Sequence, residues 1–259
     1  MFEMSDPSHV GRSFTVRGRV RLGDASPGGR LRCDAVARYL QDVSDDDTRD
    51  AGVGGMTWVV RRTVLDVHSF PHYLETFELV TWCAGIGPRW AERRTSLVGD
   101  AGGRIEAATL WVALDSRTRR PARPTAEFLD IFGPSAQGRI VSSKLLLDRP
   151  SAEAEQSPWS LRFVDFDVMG HVNNAVYWEV VESMLGDHRD VRAPLRLAVE
   201  HVSPLERGAA PVCRIERVAG YVRGEIGINL GCAVDGVDAP SAESARLATF
   251  ATFATLPIR

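Results

Sequence analysis

Two stretches of this chain can be laid on one another without a gap. RLGDASPGGRLRCDAVARYLQD, starting at Arg21, aligns with RFVDFDVMGHVNNAVYWEVVES, starting at Arg162, at an offset of 141 residues (162 minus 21). Asp24 meets Asp165, Gly29 meets Gly170, Leu31 meets Val172 and Leu40 meets Val181. Identities are few, but the pattern around them repeats as well. In the first copy, residues 14–22 alternate apolar and polar as a half-buried strand does, and 24–29 are rich in turn formers. Leu31, Ala35, Val36, Tyr39, Leu40 and Val43 then fall at helical spacing. Strand-like runs follow at 57–67, 75–83, 90–98 and 105–114. In the second copy the same logic gives a strand at 159–164, a loop at 165–170 and a helix at 173–185. Strands follow at 195–202, 212–218, 221–233 and 246–256. One strand, one long helix and a run of antiparallel strands, performed twice, predict an α+β fold. A curved sheet would wrap one apolar helix per copy, and the two copies would form an internal pseudo-dimer. The expected division is 10–135 for the first half, 136–156 for a polar, proline-bearing connector and 157–259 for the second half.

Composition narrows the functional classes. A net charge of −3 on 259 residues disfavours a nucleic-acid binder. Cys33, Cys83, Cys213 and Cys232 are far apart, with no C-x-x-C and no Cys/His cluster, so no metal centre or redox pair is expected. The first residues carry no basic region followed by an apolar core, and no apolar run approaches the roughly 20 residues of a membrane span. The expectation is a cytoplasmic protein with reduced thiols and no membrane insertion. Asp42, Asp45, Asp46, Asp47 and Asp50 lack the spacing of a calcium loop and read as a solvated helix end.

The chemistry concentrates in 165–182, DFDVMGHVNNAVYWEVVE. Asp167 and His171 stand four residues apart in a loop, and Asn173 and Asn174 stand where the helix begins. The first N–H groups of a helix have no partner inside it, and with the helix dipole they can hold a developing oxyanion. A histidine beside an aspartate can move a proton near neutral pH. Glu200 interrupts the apolar run 195–202 and must be paired, poised with a shifted pKa, or on the solvent face.

These residues resemble a known family. HVNNAVYWEVVES, preceded by Asp167, is similar to the D-x-N-x-H-V-N-N signature of plant and bacterial acyl-acyl-carrier-protein thioesterases. WVVRRTVLDV (58–67), GPRWAERR (87–94) and ATLWVALDSRTRRPARP (108–124) resemble further motifs of that family, in order. The resemblance implies two tandem hotdog folds and hydrolysis of the thioester between a fatty acyl chain and the carrier protein's phosphopantetheine arm, without a cofactor. It assigns catalysis to Asp167 and His171. The family's Asn two residues after the Asp falls on Met169, and its later Glu-Cys pair falls near Pro204 and Leu205. Asn173 could supply the missing amide, and Glu200 is the nearest carboxylate, with Glu206 a poorer candidate.

At the repeat offset the first half has Arg30 for His171, and Arg32 and Cys33 for the two Asn. Matching the strands puts Arg61 where Glu200 stands. One active site is therefore expected, in the second half. Water would be activated by His171 or Glu200, and the oxyanion would sit near Asn174 and Ala175. The first half would form the acyl pocket, with Tyr39, Leu40 and Trp58 as substrate contacts. Arg89, Arg93, Arg94 and Arg120 would dock the acidic carrier protein. The chain would be a monomeric pseudo-dimer or a homodimer. Two alternatives stay open: an acyl-CoA thioesterase, and a non-catalytic acyl-binding protein. A hydratase fits poorly, because D-x-N-P-x-H needs one more residue and a proline.

Overall fold

A computed structural model describes residues 10–187, 192–218, 221–229 and 247–256. Cys232, the first residues and parts of the two final expected strands lie outside these. The first half runs β1 (Ser13–Arg19), α1 (Cys33–Asp50), β2 (Met56–Ser69), β3 (Thr76–Gly87), β4 (Trp90–Gly99) and β5 (Arg104–Asp115), then α2 (Ala126–Ala136). The second runs β6 (Glu155–Pro158), α3 (Tyr177–Asp187), β7 (Leu195–His201), β8 (Val212–Val218), β9 (Tyr221–Asn229) and β10 (Leu247–Leu256). All ten strands form one antiparallel sheet in the order β1-β3-β4-β5-β2-β7-β10-β9-β8-β6. The halves join at the centre, where β2 pairs with β7 from Arg62–Glu200 to Val67–Leu195. This is the tandem hotdog arrangement.

Strand alternation sorts the two sheet faces. Leu65, Val67, Leu79, Leu97, Ile105, Ala107, Leu195, Leu197 and Val199 turn inward. They join Leu40, Val36, Trp178, Val181 and Met184 of α1 and α3 in one continuous core. The opposite face carries Val64, Ala108 and Ala198, packed against Leu147 of the connector.

The offset of 141 holds in the backbone, residue for residue. Short 3-10 turns occupy Leu22–Asp24 and Phe163–Asp165. Bridges close the two loops at Ala25–Leu31 and Phe166–Val172. Gly29 and Gly170 both take φ +80°, left-handed backbone that glycine adopts freely. Arg32 N–H donates to the Asp24 carbonyl at 2.9 Å, and Asn173 N–H to the Asp165 carbonyl at 2.8 Å.

Three differences from the sequence expectation matter. The strand expected at 159–164 lies instead at Glu155–Pro158, across the expected boundary between connector and second half, and pairs with β8. α2 is a helix the sequence reading lacks. Thr125 caps it by accepting the Phe128 N–H, and Phe128 and Phe132 pack on Cys83 and Ala91. The connector itself is an ordered strap across the outer face. Ile140 bridges Ile86 of β3, the Val141 carbonyl accepts Trp90 Nε1–H of β4, and the Lys144 carbonyl accepts from Arg62 of β2. Leu146 and Leu147 reach Glu200 of β7, Arg149 reaches Glu225 of β9, and Ser151 reaches Glu216 of β8. From β3 to β8 the strap spans seven strand spacings, about 34 Å. Eleven residues of extended chain reach about 36–40 Å, so the strap has little slack.

Candidate active site

The site is built on the turn before α3. Asp167 N–H donates to the His171 carbonyl at 2.9 Å, and Gly170 N–H to the Asp167 carbonyl at 3.0 Å. Asp167 Oδ1 accepts the N–H groups of Met169 at 2.8 Å and His171 at 3.3 Å. The carboxylate thus shapes the turn through the backbone, and no hydrogen bond joins it to the imidazole. His171 is half-buried, and its backbone bridges Glu206.

The helix begins later than its apolar pattern suggests. Asn173 Oδ1 accepts the Ala175 N–H at 2.8 Å, and the Asn173 carbonyl accepts the Val176 N–H at 2.9 Å. The chain therefore turns through 174–176, and α3 starts at Tyr177. Ala175 N–H, one of the expected oxyanion donors, is already committed. Asn174 N–H makes no hydrogen bond among the described residues.

The first half shows the same position filled. Cys33, the repeat equivalent of Asn174, donates its N–H to Glu182 Oε2 at 3.1 Å. Glu182 also holds Arg30, the equivalent of His171, at 2.9 and 3.0 Å. Glu182 comes from α3 of the other half, and at an offset of 141 its counterpart is Gln41 of α1. Gln41 also reaches the opposite helix start, but one residue earlier and through a side chain: its Nε2 donates to Asn173 Oδ1 at 3.2 Å. Each helix start is thus approached by one side chain from the opposite helix: a carboxylate that takes the leading N–H in the first half, and an amide that bonds only the Asn173 side chain in the second. Sequence reasoning singles out neither Gln41 nor Glu182, although the gapless alignment pairs them.

Glu200 is not part of this assembly. It is fully buried on the outer face, where its two oxygens accept the N–H groups of Leu146 at 2.7 Å and Leu147 at 3.0 Å. The expected base is a strap anchor instead, because alternation along β7 turns residue 200 away from the helices. Nor does Arg61 match Glu200. Leu31 and Val172, equivalent in the repeat, donate to the carbonyls of Pro71 and Leu205, a spacing of 134 that makes Asp66 the repeat equivalent of Glu200. Asp66 binds Arg196 at 2.5 Å. The neighbouring His201 faces the core instead. Its ring meets Tyr177 edge-on at 5.0 Å, and its Nε2 has no partner. Burial, with a smaller push from Arg61, drives its pKa down to about 3.

The first half holds a cavity of about 210 Å³ under the C-terminal part of α1. Gln41, Trp58, Cys83, Arg93, Trp111 and Phe128 contribute to its walls. Of the expected substrate contacts only Trp58 lies here, its ring tilted against Phe128 with centroids 4.8 Å apart. Leu40 is core, and Tyr39 donates its hydroxyl to Asp24 at 2.7 Å. The expected docking arginines divide. Arg89 and Arg120 are exposed near one end of β5, whose Ala113 and Asp115 N–H groups bind their carbonyls. Arg93 and Arg94 are buried: Arg93 pairs with Asp47 on the helix side, and Arg94 with Glu92 at 3.1 Å on the strap side. Asp47 is itself fully buried and also binds Arg12 at 2.6 Å, so the acidic run is not wholly a solvated helix end. Among the described residues no helix is long and apolar enough to cross a membrane.

Comparison with known proteins agrees with this architecture. The model of the acyl-ACP thioesterase N-terminal domain matches residues 11–132, and that of the C-terminal domain matches 148–219. An uncharacterized protein of Mycobacterium tuberculosis is 32% identical over 82% of this chain and 86% of its own. A chloroplast acyl-acyl-carrier-protein hydrolase of Cuphea viscosissima is 28% identical over 67% of this chain, which spans 49% of that relative. The 12:0-ACP thioesterase of Umbellularia californica superposes with a TM-score of 0.72 at 19% identity, covering 94% of this chain and 96% of the other. An acyl-ACP thioesterase of Bacteroides thetaiotaomicron gives 0.69 at 17% identity, over 94% and 97%.

Proposed function

Because this chain belongs to the acyl-ACP thioesterase family, we propose that it releases free fatty acid from acyl carrier protein at a single site in its second half. The observation that carries this reading is the contrast between the two helix starts. In the first half Glu182 occupies the Cys33 N–H, and an arginine stands in place of the histidine. In the second half the equivalent Asn174 N–H has no partner among the described residues, three residues after His171.

Water, losing a proton to the His171 imidazole, attacks the acyl carbonyl carbon. The carbonyl oxygen becomes an oxyanion on the Asn174 N–H, in the position that the Glu182 oxygen takes on Cys33. One such donor is worth about 10²–10³ in rate. The C–S bond then breaks, and the sulfur leaves with the proton that His171 accepted. Asp167 holds the turn that presents the histidine. Asn173, steadied by Gln41, ties down the Ala175 N–H and so fixes the direction of its neighbour. The cavity of the first half takes the acyl chain, since Gln41 belongs both to its wall and to the helix start. Arg89 and Arg120 suit an acidic carrier.

The test is fatty-acid release from matched acyl groups on carrier protein and on CoA, by wild type and by His171→Ala. Release from carrier protein that falls at least a hundredfold in the variant supports the reading. Faster release from CoA would make CoA the carrier. Equal rates for both proteins would remove His171 from the mechanism, and binding without release would leave an acyl-binding protein.

A further inference from the structure

The floor of the first-half cavity is unusual for a site that takes an alkyl chain. The register of β3, β4, β5 and β2 arranges the inward-facing residues in rows. Leu79 pairs with Leu97, and Leu97 with Ile105, which is ordinary core. Two rows further along, Cys83 pairs with Arg93, Arg93 with Thr109, and Thr109 with Thr63. In the next row Ala91 pairs with Trp111. The cavity opens over these last two rows.

Several of its polar groups are already committed. Ser44 donates to the Leu40 carbonyl, Thr48 to the Ser44 carbonyl, and Gln41 to the Ala37 carbonyl and Asn173. Trp111 Nε1–H is not: it is buried without any hydrogen-bond partner, on a side chain that lines the cavity. Beside it Arg93 has a guanidinium with five N–H donors, of which Asp47 takes one. A saturated chain would seal the indole N–H away from water with nothing to accept it. A ligand with an acceptor at that depth would satisfy it.

We propose that this cavity selects an acyl chain carrying a neutral oxygen acceptor, a hydroxyl or a keto group, to which Trp111 donates its indole N–H. The acceptor is neutral because the nearby cation is already balanced by Asp47. An ω-carboxylate would meet no unbalanced positive charge. Trp111 is then the residue that sets specificity. This rests on the hydrolase reading for turnover, but not for binding.

Two measurements separate the two ideas. The first is kcat/KM for carrier-protein thioesters of one length: saturated, hydroxy- and keto-substituted at stepped positions, and ω-carboxylated. Wild type is expected to favour one oxygenated position over the saturated chain by about tenfold. Trp111→Phe is expected to bring that ratio near one, and a cooperative melting transition like that of wild type shows that the variant folds. A ratio near one in wild type, or a ratio unchanged in the variant, overturns the proposal, and preference for the ω-carboxylate overturns its neutral chemistry. The second is ¹⁵N–¹H NMR of the six tryptophans during titration with free hydroxy, keto and saturated fatty acids. The Trp111 indole signal, assigned by its loss in Trp111→Phe, is expected to shift downfield with the oxygenated acids only. If that shift occurs and no thioester is cleaved, the pocket assignment stands and the hydrolase reading falls. If thioesters are cleaved and the signal answers all acids alike, the reverse holds.

Discussion

Replacing Gln41 by a glutamate copies into the second half the carboxylate that closes the first. In the first half that carboxylate sits 3.1 Å from the helix-start N–H and is balanced by Arg30 at 2.9 Å. In the second half the position equivalent to Arg30 holds His171, so the new charge lacks that counterion. Gln41 Nε2 lies 3.2 Å from Asn173 Oδ1, which lies 2.8 Å from the Ala175 N–H. A carboxylate there would stand about 6–9 Å from the oxyanion, and at an effective dielectric near 20 the repulsion is about 2–3 kcal/mol. The introduced side chain also has no N–H to give Asn173, a further loss of about 1 kcal/mol. Together these give a fall in kcat/KM of about 10²–10³-fold for Gln41→Glu. Gln41→Met, which removes the donor without adding charge, is expected to lose only about fivefold. Steady-state hydrolysis of one acyl thioester by wild type and the two variants decides it. Glu182→Gln is the reciprocal control. It leaves Arg30 less well balanced and is expected to lower stability while preserving turnover per folded molecule. Normal activity of Gln41→Glu together with an inactive Glu182→Gln would put the working site in the first half and refute the reasoning.

Glu200→Gln keeps the size but weakens the anchor of the strap. It is expected to lower the melting temperature by about 5–10 °C, for a loss of about 2–4 kcal/mol, with kcat/KM retained; a loss of activity without loss of stability would restore Glu200 to the chemistry. His201 has a folded-state pKa near 3, against about 6.5 in the unfolded chain. Between these values the unfolded state binds the extra proton, so stability present above pH 6.5 is lost as pH falls toward 3, by about 1.4 kcal/mol per unit. Denaturant titrations at several pH values should show this slope flatten in His201→Leu. Arg93→Ala strands the buried Asp47 beside Arg12 alone and should cost stability, whereas Arg89→Glu and Arg120→Glu should raise KM for the carrier-protein substrate and leave a small thioester unaffected.

The repeat is legible in the sequence because its two loops are fixed by local chemistry. A 3-10 turn, a left-handed glycine and a bridge recur in step, and none of them depends on distant packing. Strand positions are legible for the same reason, since alternation is a local signal. The strap is not. Its residues alternate weakly, and its order comes from groups on six strands that the sequence does not bring together. α2 lies in a stretch whose prolines, at 121, 124 and 134, read as loop, while Phe128 and Phe132 give too short an apolar pattern to outweigh them. The arginines mislead because β4 is inward-facing at 93 and strap-facing at 94, so alternation alone assigns neither to solvent. Glu200 misleads in the opposite sense. Its place in an apolar run points to burial, but which face buries it depends on a connector whose composition reads as irregular.

The two copies show what an open helix start requires. In the first, α1 begins at Cys33 with its leading N–H on a carboxylate, and the cation that balances that carboxylate stands where the other copy keeps its histidine. Such a start already contains its anion, which on the proposed reading leaves no place there for an oxyanion. In the second, the helix is delayed to Tyr177, because Asn173 uses its side chain and its carbonyl on the next two available amides. That leaves Asn174 N–H unspent at the cost of three residues of helix relative to α1. The difference between a carboxylate at 182 and an amide at 41 decides which outcome each half adopts, because an amide steadies Asn173 without bringing the negative charge that would fill the site. On the proposed reading, specialisation of the pseudo-dimer follows from charge-altering positions around the two helix starts, among them 30/171, 32/173, 34/175 and 41/182.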